Sequence, residues 1–212
     1  MLFNKNCPIS LIFCLTTISI VILAYLQFID IFQIYYHRDL IFRKHQFWRL
    51  FTSVLSFDSL GLNTFAQIFS FMQYSVTIEN SFFFHQPADF LVFCLFGMVP
   101  LWIFGYYYSM IFLGPGFVSY FMYYSVKRAP DAHLMMLLIP VTIKAPFVPL
   151  ILLLANIISK NWPSVFVTCV GYLAAHTYFF LQDIISLKCN VSLLRLPASA
   201  NMVLNKLFSM FL

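Results

Sequence analysis

From Ile9 to Ile29 the chain runs for about twenty residues without a charged side chain, enough to cross the hydrocarbon core of a bilayer as one helix. Further apolar runs follow, parted only by short polar breaks. This pattern limits the fold more than anything else, because backbone inside hydrocarbon must satisfy its own hydrogen bonds and a helix does so. Charged residues make up 9% of the chain and apolar residues 62%, whereas a soluble domain is roughly a quarter charged. The sequence therefore predicts an all-α integral membrane protein. The first apolar run exceeds the core of a signal peptide and no small-residue cleavage site follows it, so it is expected to be retained as a first helix.

Six transmembrane helices are predicted. The second, Leu60 to Ile78, is unusually polar: Asn63, Gln67 and Ser70 stand about one turn apart on one face, with Gln73 nearby. Polar side chains in lipid are costly and normally face protein or water. Glu79 is expected to end this helix, with a loop from Asn80 to Pro87. The third span, Ala88 to Ser109, carries Pro100. The fourth, Met110 to Val126, contains Gly114-Pro115-Gly116, a start expected to be irregular. The fifth, Leu134 to Ile158, is broken by Pro140, Pro146 and Pro149 and holds Lys144 near its middle; prolines remove backbone donors and loosen a helix. Lys144 either snorkels to a surface or serves a function. The sixth, Ser164 to Leu181, has Gly171, Ala174 and Ala175, small residues that allow close helix approach, then His176, with Asp183 closing it. The spans form one membrane domain over residues 1–188. The tail, 189–212, ends in an apolar stretch too short to span and suited to the interface.

Between the first two spans, Ile41 to Phe57 interleaves Arg43, Lys44, His45 and Arg49 with Phe42, Phe47, Trp48, Leu50 and Phe51. Basic and aromatic residues in alternation suit the boundary between headgroups and acyl chains, so this loop is predicted to lie in the membrane surface. The net charge of +5 is scattered, which fits anionic lipid rather than nucleic acid. The five cysteines show no disulfide or metal spacing, and Cys14, Cys94 and Cys169 fall in apolar runs; they read as small buried hydrophobes. Lys5, Lys127, Arg128, Lys188, Arg195 and Lys206 fall on one side of six spans, and Arg38, Arg43, Lys44, Arg49 and Lys160 on the other. With the first loop's cations assigned to the headgroups, both termini are expected to be cytosolic. Asn190-Val191-Ser192, the one glycosylation acceptor pattern in the chain, should then stay unmodified.

Several segments, in order, resemble the Derlin (Der1-like) family of rhomboid-related proteins of the endoplasmic reticulum. They are Asp39 to Phe42 with Gln46 to Leu50, the latter matching the family's WR motif at Trp48-Arg49; Tyr74 to Ser81, where Glu79 matches an acidic position; Ala88-Asp89-Phe90; Phe96-Gly97; Ala145 to Pro149; and Gly171 to Asp183. The likeness covers about residues 10 to 200. The chain departs from the pattern at Gly171 and Ala175, where the family has two glycines, at Lys144, where glutamine is usual, and in lacking a recognisable tail motif for a cytosolic AAA ATPase.

The resemblance implies a rhomboid-like fold with an interfacial first loop in the endoplasmic reticulum membrane. It also implies a role without cofactor or metal: a component of endoplasmic-reticulum-associated degradation that helps misfolded proteins return from the lumen to the cytosol. The implied partners are membrane lipids, misfolded substrates, an E3 ubiquitin ligase complex and, directly or through another subunit, a cytosolic AAA ATPase; homo-oligomerisation is left open. Trp48 and Arg49 are the implied functional motif, and Gly171 and Ala175 the helix-packing pair. Asn63, Gln67, Gln73 and Lys144 are expected to border a polar groove and lateral gate, with short spans thinning the bilayer beside it. Active rhomboids pair a serine at the start of the fourth helix with a histidine on the sixth. Here Gly116 stands at the serine position, Ser119 lies about one turn on, and His176 resembles the histidine. The chain is thus expected to be a pseudoprotease with His176 a buried, hydrogen-bonded residue, because a histidine without a nucleophile performs no acyl transfer. An active intramembrane serine protease is the alternative. A solute carrier built on broken helices is a third reading.

Overall fold

The computed structural model describes residues 7–57, 61–131, 133–135, 142–189 and 194–211. Lys5, Asp58, Leu60, Pro140 and the Asn190 acceptor pattern lie outside the described residues. Helix dominates, as the apolar runs require. The long helices are α1 (Pro8–Tyr25), α5 (Leu62–Phe82), α6 (Pro87–Tyr108), α7 (Gly114–Arg128) and α9 (Trp162–Phe179). Between α1 and α5 the chain makes three short helices, α2 (Ile31–Ile34), α3 (Arg38–Phe42) and α4 (Trp48–Val54). Among the described residues, three helical stretches are long and apolar enough to cross a membrane: Pro8–Tyr25, Pro87–Tyr108 and Trp162–Ile185. With the family resemblance of the sequence, they make this a multi-pass membrane protein.

α7 is the central post. All but one residue from Gly114 to Val126 is buried, and the helix packs against α9, α5, α6 and α4. Its opening Gly114-Pro115-Gly116 does not make an irregular start as expected; it forms the first turn itself. Proline fits there because first-turn N–H groups have no helical acceptor to lose. Around it, Phe71, Phe90, Phe93, Phe117, Phe121, Tyr120, Tyr124 and Tyr178 interlock edge to face, the arrangement aromatic quadrupoles favour.

The expected fifth span is corrected. In place of one helix from Leu134 to Ile158 stands a two-stranded antiparallel pair, β1 (His133–Met135) with β2 (Thr142–Lys144), His133 opposite Lys144. A 3-10 turn (Ala145–Phe147) then leads into α8 (Val148–Ile158). Pro146 and Pro149 stand in the opening turns of these two helices, where they start a helix rather than interrupt one. Lys144 consequently lies ahead of the helix, exposed, and not inside a span.

Two helix ends also differ from expectation. α5 passes through Glu79 to Phe82, leaving only Phe83 to Gln86 as the connection to α6. α9 continues past Asp183 through a π-helical stretch (Phe180–Ile185) into α10 (Ser186–Cys189). Both acids are held by partners within the fold, so neither needs a helix end to reach water. The chain closes with α11 (Ala198–Phe211), which packs on α6. The start of α1 and the start of α11 both meet the α5–α6 connection or the residues beside it, so the two ends of the described chain lie at one end of the bundle.

Candidate functional site

The first loop is built around Arg49. This residue is 5% exposed, and two of the three nitrogens of its planar fork hold acceptors. Nε donates to Gln46 Oε1 at 2.7 Å, and Nη1 donates to the carbonyls of Phe32 at 2.9 Å and Tyr35 at 3.1 Å. The guanidinium also lies 5.4 Å from the centre of the Tyr35 ring, within the range of a cation–π contact. One side chain thereby joins α2, the strand of backbone after it and α4. The loop is fastened to the bundle by further bonds. Trp102 Nε1 donates to the Leu50 carbonyl, and the backbone N–H groups of Tyr36 and Leu113 to the carbonyls of Ile111 and Ser53, while within the loop Thr52 Oγ1 donates to the Ile34 carbonyl. Trp48 is by contrast 56% exposed, and Phe42, Phe47 and Phe51 of the same loop are exposed as well.

On α5, Asn63 is exposed and Gln67 and Gln73 are half-buried. Gln67 Oε1 is buried without a partner. Lys144 sits on a separate element. α5 and the 3-10 turn after Lys144 both border α7.

The tightest helix crossing joins α7 to α9. A Cβ added to Gly171 would collide with the Gly116 carbonyl, and one added to Gly116 would meet Leu101 Cδ2 and Val167 Cγ1 at 2.6 Å and the Val167 carbonyl oxygen at 2.7 Å. Only glycine permits this approach. Ala175, one turn along, is completely buried. Ser119 Oγ donates to the Pro115 carbonyl at 2.7 Å and to Thr168 Oγ1 at 3.4 Å. His176 is exposed rather than buried, because its place on α9 turns it outward; Nδ1 meets the Tyr123 hydroxyl at 3.2 Å. Ser119 and His176 thus bond to different partners on α7 and α9.

Three acidic residues organise the opposite end of the bundle, and the sequence reading gave none of them a site role. Glu79 is buried and accepts from the Ile9 and Ser10 N–H groups at 3.2 and 2.7 Å. A carboxylate from α5 thus occupies the amino end of α1, where free N–H groups and the helix dipole favour negative charge. Asp183 pairs with Arg128 at 2.7 Å, locking the end of α7 to the π-helical stretch. Buried Asp89 accepts from the Leu196 N–H at 2.8 Å and from Asn201 Nδ2 at 3.4 Å. The available signal was an acid within a strongly apolar run, which must find donors. Among the described residues no cluster of histidine, cysteine, aspartate and glutamate has the arrangement of a metal site.

A sequence model of the Der1-like family matches residues 7–198. The chain is 29% identical over 201 residues to the probable derlin-2 homolog of Dictyostelium discoideum, covering 91% of this chain and 78% of that protein. It is 27% identical over 201 residues to Derlin-1 of Oryza sativa subsp. japonica, covering 92% and 80%. Derlin-2.2 of Arabidopsis thaliana is 27% identical over 185 residues, covering 82% and 74%.

Proposed function

We propose that this chain, which belongs to the Der1-like family, is a non-catalytic, rhomboid-like component of endoplasmic-reticulum-associated degradation that helps misfolded proteins cross from the lumen to the cytosol. One observation carries the non-catalytic half of this reading. Gly116 stands where the nucleophile of a rhomboid protease would stand, and the space a side chain there would need is filled by Leu101 and Val167. Ser119 spends its hydroxyl on Pro115 and Thr168, and His176 meets a tyrosine. A serine needs an adjacent base to attack a peptide bond.

The transport half rests on short elements beside polar ones. The chain crosses the endoplasmic reticulum membrane six times, by α1, α5, α6, α7, the stretch Ala145–Ile158 and α9, with both termini cytosolic. α8 has only 11 residues, about 17 Å of helix at about 1.5 Å per residue, and exposes Leu150, Leu154 and Ile158. It falls short of a hydrocarbon core of about 30 Å, and a short crossing thins the bilayer around it. Asn63, Gln67 and Gln73 line one side of the resulting groove, and Lys144 stands at its mouth. The unpartnered oxygen of Gln67 is a group that a passing backbone N–H would satisfy. Arg49 and Trp48 set the depth of the first loop. An E3 ubiquitin ligase complex and a cytosolic AAA ATPase, bound directly or through another subunit, receive the substrate. Purification in mild detergent tests this assignment: a ubiquitin ligase and an AAA ATPase should co-purify, and their absence from a preparation that retains the folded chain counts against it.

A further inference from the structure

The described tail is fastened to the bundle at its turn end. Asn201 uses both ends of its amide: Oδ1 accepts from the Ala88 N–H at 2.9 Å, and Nδ2 donates to Asp89 Oδ2 at 3.4 Å. Asp89 Oδ1 accepts from the Leu196 N–H at 2.8 Å, and Asn205 Nδ2 donates to the His85 carbonyl at 3.1 Å. The first of them satisfies the Ala88 N–H, a first-turn donor of α6 with no acceptor within its own helix. Together they fix α11 alongside α6 and leave an open, shallow groove of about 560 Å³ between the two.

The groove is walled by Leu91, Val92 and Leu95 of α6 and by Leu196, Ala200 and Val203 of the tail. Leu95, Leu196 and Val203 are 46, 42 and 61% exposed. The same side of α6 continues in exposed Val99 and Ile103, on a helix long and apolar enough to span the bilayer. Groove and lipid-facing flank therefore join without a polar break along the walls. The latch lies at one end of α6, so the groove opens in the leaflet nearest both ends of the described chain.

We propose that the α6–α11 groove is a lipid-binding site that holds one acyl chain of a phospholipid from that leaflet, with α11 as its outer wall and the Asp89–Asn201 pair as the clasp that keeps the wall in place. Continuity with the hydrocarbon-facing flank of α6 selects an acyl chain over a second copy or a partner helix. The proposal depends on membrane insertion and not on the role in degradation.

The full chain is reconstituted in nanodiscs of phosphatidylcholine carrying a small fraction of phosphatidylcholine with a photoreactive diazirine on its acyl chain. Labelled peptides are mapped by mass spectrometry, with the Val99–Ile103 segment of α6 as the reference for general lipid contact. Lipid adducts are expected at Leu95 and Val203 in excess of the reference. Ala200→Trp and Val92→Trp fill the groove from opposite walls, and each should lower that excess by about tenfold, equivalent to about 1.4 kcal/mol. Using both variants guards against one that merely displaces α11. Labelling of the groove no stronger than the reference, or labelling indifferent to both tryptophans, would overturn the proposal.

Discussion

At the residue scale, Arg49 shows why a charged side chain can be buried beside a membrane. Its charge is spread over a fork that meets two backbone carbonyls and a glutamine oxygen at once. Arg49→Ala leaves those acceptors without a donor, at about 1–3 kcal/mol of local stability. The expected result is faster proteolysis within residues 32–49 while the protein still inserts. Arg49→Lys should recover less than half of the loss, since an ammonium supplies a point charge without the planar fork; full recovery would show that charge alone matters. The pairing of tryptophan and arginine at 48 and 49 was legible in the sequence, as was the mix of basic and aromatic residues around them. The identity of the acceptors was not, because Phe32 and Tyr35 contribute carbonyls, and every residue has one. His176 was misjudged as buried because a histidine in an apolar helix normally needs shelter, and nothing in the sequence marked Tyr123 as its partner.

At the scale of elements, the fold turns on two helix contacts. The α7–α9 crossing at Gly116 and Gly171 excludes any side chain. Gly171→Val should destabilise the bundle by about 1–3 kcal/mol or more through overpacking, lowering the melting temperature of the purified protein; an unchanged melting temperature would show that the crossing is looser than described. The α1–α5 contact depends on Glu79 reaching the start of α1. Glu79→Ala should leave Ile9 and Ser10 short of an acceptor, and α1 should become the first helix lost to hydrogen exchange. A variant with α1 still fully protected would deny Glu79 that role. Apolar length located α1, α6 and α9 well, since a long uncharged run has few alternatives. It failed over Leu134 to Ile158, where hydropathy sees the apolar residues and the real determinant is where the prolines fall: at a helix start they initiate, and the residues ahead of them pair as strands. It also set the end of α5 too early, because Glu79 reads as a water-seeking residue until its donors on α1 are known.

For the molecule as a whole, α7 is a buried post against which α9, α5, α6 and α4 pack. Both described ends meet near the α5–α6 connection, so a probe at either terminus should report the same side of the membrane. Asn190-Val191-Ser192 should remain unglycosylated in cells; a glycosidase-sensitive mobility shift of the unaltered protein would reverse the proposed orientation. The central claim is that the chain acts in degradation without cutting its substrate. It is tested most directly by the half-life of one misfolded lumenal protein in cells lacking this chain, complemented at matched expression with wild type, His176→Ala or Arg49→Ala. A non-catalytic role predicts that wild type and His176→Ala restore rapid turnover while Arg49→Ala leaves it slow. Rapid turnover without the chain, or failure of His176→Ala alone to restore it while that variant remains folded, would contradict the account.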